Sequence, residues 1–346
     1  MMRKFTVVAL AATVASPLLA QAGDMGDGPK WYGRVHVSLE KWTNPDPIKG
    51  ETEAQINGKS NRANSIGVKG SVDTKLMDFK GIYQLEVGMD MESSTSTGLA
   101  KERDTYVGLA SKKLGTFRAG TVESNWKSSA KVVDPLFTTP LEGRGDLNID
   151  DTKAGSSGHG KGRATDSIRY DSPSIMGAKL VAMYTFANKA SIGNFTDNNL
   201  GVGLHYKNKG IQAFFDYFND GRNTDGSASK PAVSAMKVGG KVAMGPMFAG
   251  LAYTIDSGWI SGNADDTQNV TFLNAGYKMG DATVTFSYGM KADSSTPDSG
   301  HKSMALAGTY SLTKKAKLYA GWGQKTPNDT TKDPTSVLTG GMYIKF

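Results

Sequence analysis

Catalytic and metal chemistry needs reactive side chains at close quarters, and this 346-residue chain spaces them widely. Its four histidines, His36, His159, His205 and His301, show no metal-ligand spacing. Cysteine is absent, which removes disulfides, thiolate zinc sites and cysteine nucleophiles together. Gly155-Ser-Ser-Gly-His-Gly-Lys-Gly162 is rich in glycine, but no helical pattern follows, so it reads as flexible loop rather than a phosphate cradle. No cofactor or metal is expected. Carboxylates do gather in one place: Asp134, Glu142, Asp146, Asp150 and Asp151 crowd the stretch 121–165.

That stretch lies between two strand-like segments, 115–120 and 167–170, and has no sustained helical or alternating period of its own. A connection this long inside a compact domain is functional or disordered. Trp126, Val132, Val133, Leu136, Phe137 and Leu141 give its first part the means to pack. It reads as a loop folded against the inside of a barrel and narrowing it; the alternative is a solvated surface loop.

The elements that would hold such a loop are strands. The N-terminus looks like an export signal over residues 1–22: Arg3-Lys4, an apolar run from Phe5 to Leu19, and Ala20-Gln21-Ala22 before Gly23. Residues 23–346 then form one domain. Beyond Ala22 no apolar run is long enough for a membrane helix, so a membrane role would fall to strands. The charge is mildly basic, with 40 Lys and Arg against 33 Asp and Glu, and scattered, which argues against nucleic acid.

From Trp31 onward a unit of roughly ten alternating residues and a turn recurs. In Ala282-Thr-Val-Thr-Phe-Ser-Tyr-Gly-Met290 the apolar side chains share one face, and the small and polar ones the other. About sixteen such strands can be placed, an even number inside the range of bacterial barrels. Short connections (111–114, 208–210, 245–246, 279–281, 313–316) alternate with long ones (43–63, 92–103, 188–198, 220–232, 257–268, 292–302, 326–336). Alternation puts every long loop at one end of an antiparallel barrel. The fold class is therefore all-β, a transmembrane antiparallel β-barrel of about sixteen strands with its long third external loop in the lumen. Aromatics near strand ends, among them Trp31, Tyr32, Trp42, Tyr253, Tyr277 and Tyr310, would form girdles at the headgroups or simply reflect strand propensity.

Several stretches, in their order and spacing, resemble the general trimeric porins of Gram-negative outer membranes. These are Ser65-Ile-Gly-Val-Lys-Gly70, Ile82-Tyr-Gln-Leu-Glu86, Arg103-Asp-Thr-Tyr-Val-Gly-Leu109, Gly115-Thr-Phe-Arg-Ala-Gly120, Ser167-Ile-Arg-Tyr-Asp-Ser-Pro173 and the final Phe346. The resemblance implies a homotrimer in the outer membrane, in contact with lipid and lipopolysaccharide and assembled by machinery that reads Phe346. It implies a water-filled channel for passive diffusion of small hydrophilic solutes and ions. It also implies a constriction in which loop acids (Asp134, Glu142, Asp146) face a basic wall, with Arg103 and Arg169 matching the family's wall arginines. By alternation Arg118 and Lys69 should point inward beside them. Ser65 and Thr121 stand where an arginine is frequent, so the cluster could be thinner, or rebuilt by Lys69, Lys80 or Arg118, and a net basic lumen would favour anions weakly.

Two rivals stand beside this reading. A solute-selective channel for phosphate or sugar would carry a binding site at the constriction. An outer-membrane barrel enzyme would need a nucleophile and a base within hydrogen-bond reach. His205 is the nearest candidate base, and its parity points it into the lumen.

Overall fold

The computed structural model describes residues 28–44, 52–56, 64–89, 101–143, 147, 162–186, 195–196, 199–220, 223–224, 233–257 and 267–346. The segment 1–22, and Asp146, Asp150 and Asp151, lie outside the described residues.

Sixteen long strands make one closed antiparallel sheet. The first eight are β1 (Lys30–Thr43), β2 (Ser65–Asp73), β3 (Lys80–Gly88), β4 (Thr105–Ser111), β5 (Gly115–Glu123), β6 (Arg163–Asp171), β7 (Ala178–Thr185) and β8 (Asn199–Asn208). The second eight are β9 (Ile211–Asp220), β10 (Val233–Met244), β11 (Met247–Ser257), β12 (Thr267–Met279), β13 (Ala282–Lys291), β14 (His301–Ser311), β15 (Ala316–Pro327) and β16 (Thr335–Lys345). Two short pieces, Thr52–Ile56 and Lys101–Glu102, prolong the ladders on β1 and β3 at the long-loop end. Each strand pairs with its sequence neighbour, and β1 closes the circle on β16 from Arg34↔Lys345 to Thr43↔Ser336. Closure satisfies every backbone edge, the condition for strands to stand in hydrocarbon.

Alternation decides which way each side chain points. Leu39, Val107, Ile168, Leu204, Leu251, Leu306 and Leu338 are exposed on the outer face. Their sequence neighbours Ser38, Ser167, Ala252, Ala305, Ala307, Val337 and Thr339 are buried on the inner one. An apolar exterior around a polar bore is the reverse of a soluble protein. Trp31, Tyr253, Tyr277, Tyr310 and Phe346 are exposed on the outer face near strand ends. Trp42 and Tyr32 are not girdle residues: both point into the bore, and Trp42 is buried there, its indole donating to Glu40 (2.8 Å).

The segment after β5 folds inward. Its bounds are tighter than 121–165, because β5 continues to Glu123 and β6 already begins at Arg163. It also contains a helix that sequence periodicity did not reveal, α1 (Asn125–Val133). Ser124 caps it by accepting the Lys127 amide (3.2 Å), a cap worth about 1 kcal/mol. Trp126, Ala130 and Val133, spaced four and three apart, form its buried face. The helix packs on β8–β11, and Leu136, Leu141 and Leu147 carry the segment onward to β14 and β15. There Leu141 and Leu147 lie against Gly321 and Gly323, where any side chain would strike them.

Candidate functional site

The inner segment is pinned to the wall by polar contacts of a regular kind: wall side chains hold its backbone. Lys237 on β10 donates to the Trp126 carbonyl (2.7 Å) and sits over the Trp126 ring (4.4 Å). Asn274 on β12 donates to the Val133 carbonyl, and Ser303 on β14 to the Leu147 carbonyl (2.7 Å). From the segment's side, Asn125 donates to Asp216 on β9 (2.7 Å), whose carboxylate also meets His205 (2.9 Å). His205 therefore points into the bore and is engaged by Asp216. Backbone carbonyls near the low-dielectric wall need such partners, since an unmet one costs about 1–3 kcal/mol.

The two acids of the segment that the structure describes, Asp134 and Glu142, are buried and accept backbone amides of the segment itself. Asp134 accepts the amides of Leu136 and Gly143 (both 2.9 Å). Glu142 accepts the amide of Thr138 (2.6 Å), a residue held at positive φ. They fold the loop as well as charging it.

The four basic residues singled out from sequence all face the bore, in different settings. Arg103 pairs with Glu86, which also accepts Tyr32 (2.9 Å). Arg118 and Arg169 are brought together by direct cross-strand register and share Asp171. Arg169 is buried, chelating both oxygens of that carboxylate (2.9 Å each) and reaching the Glu123 carbonyl and Ser128 at the start of α1. Lys179 adds a further cation to Asp171 (3.0 Å). Lys69 stands apart, its ammonium 5.0 Å from the Tyr32 ring centre.

Sequence reasoning overlooked the acids on the same wall. Glu86 and Asp171 are the partners of these cations, and Asp104 and Glu123 those of Arg163 and of the lysines of α1, so the arginines meet wall carboxylates directly rather than across the bore. Asp104 accepts Arg163 (2.9 Å) and the Glu123 amide (2.8 Å). Glu123 in turn holds Lys127 (3.3 Å) and Lys131 of α1. Parity would have placed Glu86 inward, two residues from Gln84. Which arginine each acid meets depends on strand register, which no single strand contains. Arg34 was overlooked too. It lies directly across the β1–β2 ladder from Ser65, and so stands beside the position where the family often carries an arginine.

The arrangement can do electrostatics and sieving: a polar bore, narrowed by an infolded segment, with guanidinium groups lining it from β1 to β6. Comparison with known proteins agrees. A family model for Gram-negative porins matches residues 6–330. The major outer membrane protein P.IB of Neisseria gonorrhoeae is 25% identical over 340 residues, covering 91% of this chain and 92% of that protein. The anion-selective porin of Comamonas acidovorans superposes with a TM-score of 0.76 at 19% identity, over 93% of this chain and 100% of that one. The trimer form of OmpT from Vibrio cholerae does so with a TM-score of 0.65 at 12% identity, over 93% and 100%. The chain belongs to the Gram-negative porin family, and its barrel is an outer-membrane channel for small solutes.

Proposed function

We propose that the channel works by passive diffusion, with a weak preference for anions, and that its waist lies between the α1 segment and the wall carrying Arg34, Arg103, Arg118 and Arg169. The observation that supports this reading is the inward packing of α1, Leu136, Leu141 and Leu147 on β8–β15, while Arg34, Arg103 and Arg118 line the bore from β1 to β5 and Arg169 reaches the start of α1. Asp134 and Glu142, with Asp146, supply the negative side of the waist, and Lys69 adds to the positive side. Charges on opposite walls order the water between them, which favours polar solutes over apolar ones of equal size. No turnover is involved.

Anion preference has outside support, because a similar porin is described as anion-selective. A homotrimer is proposed on the same footing, from the trimer form of a similar barrel. Residues 1–22 act as a cleaved export signal, the long-loop end faces outward beside lipopolysaccharide, and Phe346 is read during barrel assembly. The test is a planar-bilayer measurement in asymmetric potassium chloride. Conductance linear in salt with a reversal potential on the anion side is expected, moving toward cations in Arg103→Glu. Saturating conductance blocked by one sugar would instead make this a solute-selective channel.

A further inference from the structure

Four cations on consecutive strands differ from the rest of the basic wall. Lys317 on β15, Lys345 on β16, Arg34 on β1 and Lys69 on β2 all face the bore, since Leu318, Ile344 and Val35 beside them are exposed on the outer face. Strand register sets Arg34 directly opposite Lys345, and Lys69 directly opposite Lys30. Like charges facing each other across a ladder destabilise it.

No described carboxylate touches them, although Glu86 and Glu142 act on Arg34 from farther off. Among the described residues Arg34, Lys69, Lys317 and Lys345 make no ion pair. Arg34 lies over the Tyr343 ring at 6.0 Å and Lys345 over the same ring at 5.6 Å. The Nε of Arg34 is buried and meets no acceptor. The carboxylates that could have served are engaged elsewhere: Glu86 by Arg103 and Tyr32, Glu142 by the Thr138 amide, and Asp73 by Lys80 (3.2 Å). Arg103, Arg118, Arg163 and Arg169, by contrast, each have a carboxylate in contact.

We propose that the Arg34–Lys345 pair, with Lys317 beside it, is a weak binding site for small doubly charged oxyanions at the short-turn end of the waist, and that these residues, more than the paired arginines, set the anion preference. A dianion meets both members of an opposed pair at once, where chloride meets one. The guanidinium fork favours planar-faced oxyanions over a spherical ion. The shared Tyr343 ring holds the two cations in place without cancelling their charge. Arg103 and Arg169 are partly cancelled by Glu86 and Asp171, so a passing ion meets less of their field. This inference rests on the channel reading and goes further by naming the site.

Inorganic phosphate added at the short-turn side, during chloride conduction through the full-length protein in planar bilayers, tests it. Saturable reduction of the current is expected in the wild type. Arg34→Gln and Lys345→Gln should weaken that block by about tenfold or more, the worth of one charge-assisted contact. Lys345→Arg should keep it, and Lys317→Gln should shift the reversal potential toward cations. Equal block in wild type and all variants, or none in a conducting wild type, would overturn the site while leaving the channel intact. A folded barrel that inserts and passes no ions would instead remove the channel reading. Lys345 adjoins Phe346, so Arg34→Gln serves wherever the Lys345 variants assemble poorly.

Discussion

Arg118 and Arg169 face each other across the β5–β6 ladder and donate to the same oxygen of Asp171, at 2.7 Å and 2.9 Å. Two guanidinium groups in direct register would repel; the shared carboxylate makes their pairing tolerable. With Lys179 also in reach, Asp171 counts as the keystone of this part of the wall.

Asp171→Asn should therefore both loosen and recharge the waist. Removing one partner of a buried pair costs about 3–5 kcal/mol. A lower urea midpoint for barrel unfolding is expected, together with a reversal potential moved further toward anions. A change in neither would mean that bore water already screens the three cations.

The hold of β10 on α1 can be tested at Lys237. Its contact to the Trp126 carbonyl joins a charged donor to a buried acceptor, worth about 1.5–3 kcal/mol. Lys237→Met keeps the length and loses both the bond and the ring contact. Noisier single-channel currents and faster protease cleavage after Ser124 are expected at an unchanged barrel melting temperature. Quiet currents would place the hold in the apolar contacts of Leu136, Leu141 and Leu147 instead.

Gly323 reports on the far end of the same segment. A Cβ there would lie 2.3 Å from Leu147 Cδ1 and 3.1 Å from Leu141 Cδ2. Gly323→Ala forces Leu147 to shift, because the backbone of β15 is fixed by both neighbours, and should displace the segment with it. A changed unit conductance with native strand content by circular dichroism is the expected result; unaltered conductance would show that Leu147 simply turns aside.

One prediction concerns pH and lies in the turn between β15 and β16. Asp329 accepts the Thr331 hydroxyl (2.6 Å) and amide (3.0 Å) and pairs with Lys332 (3.0 Å). These contacts pull its carboxyl down to about 2. A carboxylate depressed in the folded state stabilises its turn above the ordinary value of 3.8 and loses that contribution as pH falls toward about 2. A side-chain NMR titration in detergent should find its midpoint well below that of a free aspartate; a midpoint near 4 would mean that the turn does not form in solution.

The strands were readable because a barrel wall writes a period of two into the chain, as in Ala282–Lys291, and because turn lengths alternate. The helix was not readable. Its apolar residues are few, Trp126, Ala130, Val132 and Val133, interrupted by Lys127, Ser128, Ser129 and Lys131, and it is too short to hold without the wall behind it. The inward direction of Lys69 and Arg118 followed from parity, and that of Arg103 and Arg169 from the family motif. Their partners did not, since Glu86 meets Arg103, and Asp171 meets Arg118, only once strand register and packing bring them together. Arg34 was missed for a related reason: it stands on the strand next to the one the family motif names.

The seam between β1 and β16 has a consequence for how the cylinder is made. Ten residue pairs, from Arg34↔Lys345 to Thr43↔Ser336, join segments some three hundred positions apart. Until the last hairpin arrives, the first strand offers a raw margin of amides and carbonyls, and so does whichever strand is newest. An unfinished sheet of this kind invites other chains to add themselves. Zipping the most distant pairing last is also slow, because so much chain must be gathered before it is rewarded. Escort to the membrane is thus written into the topology itself.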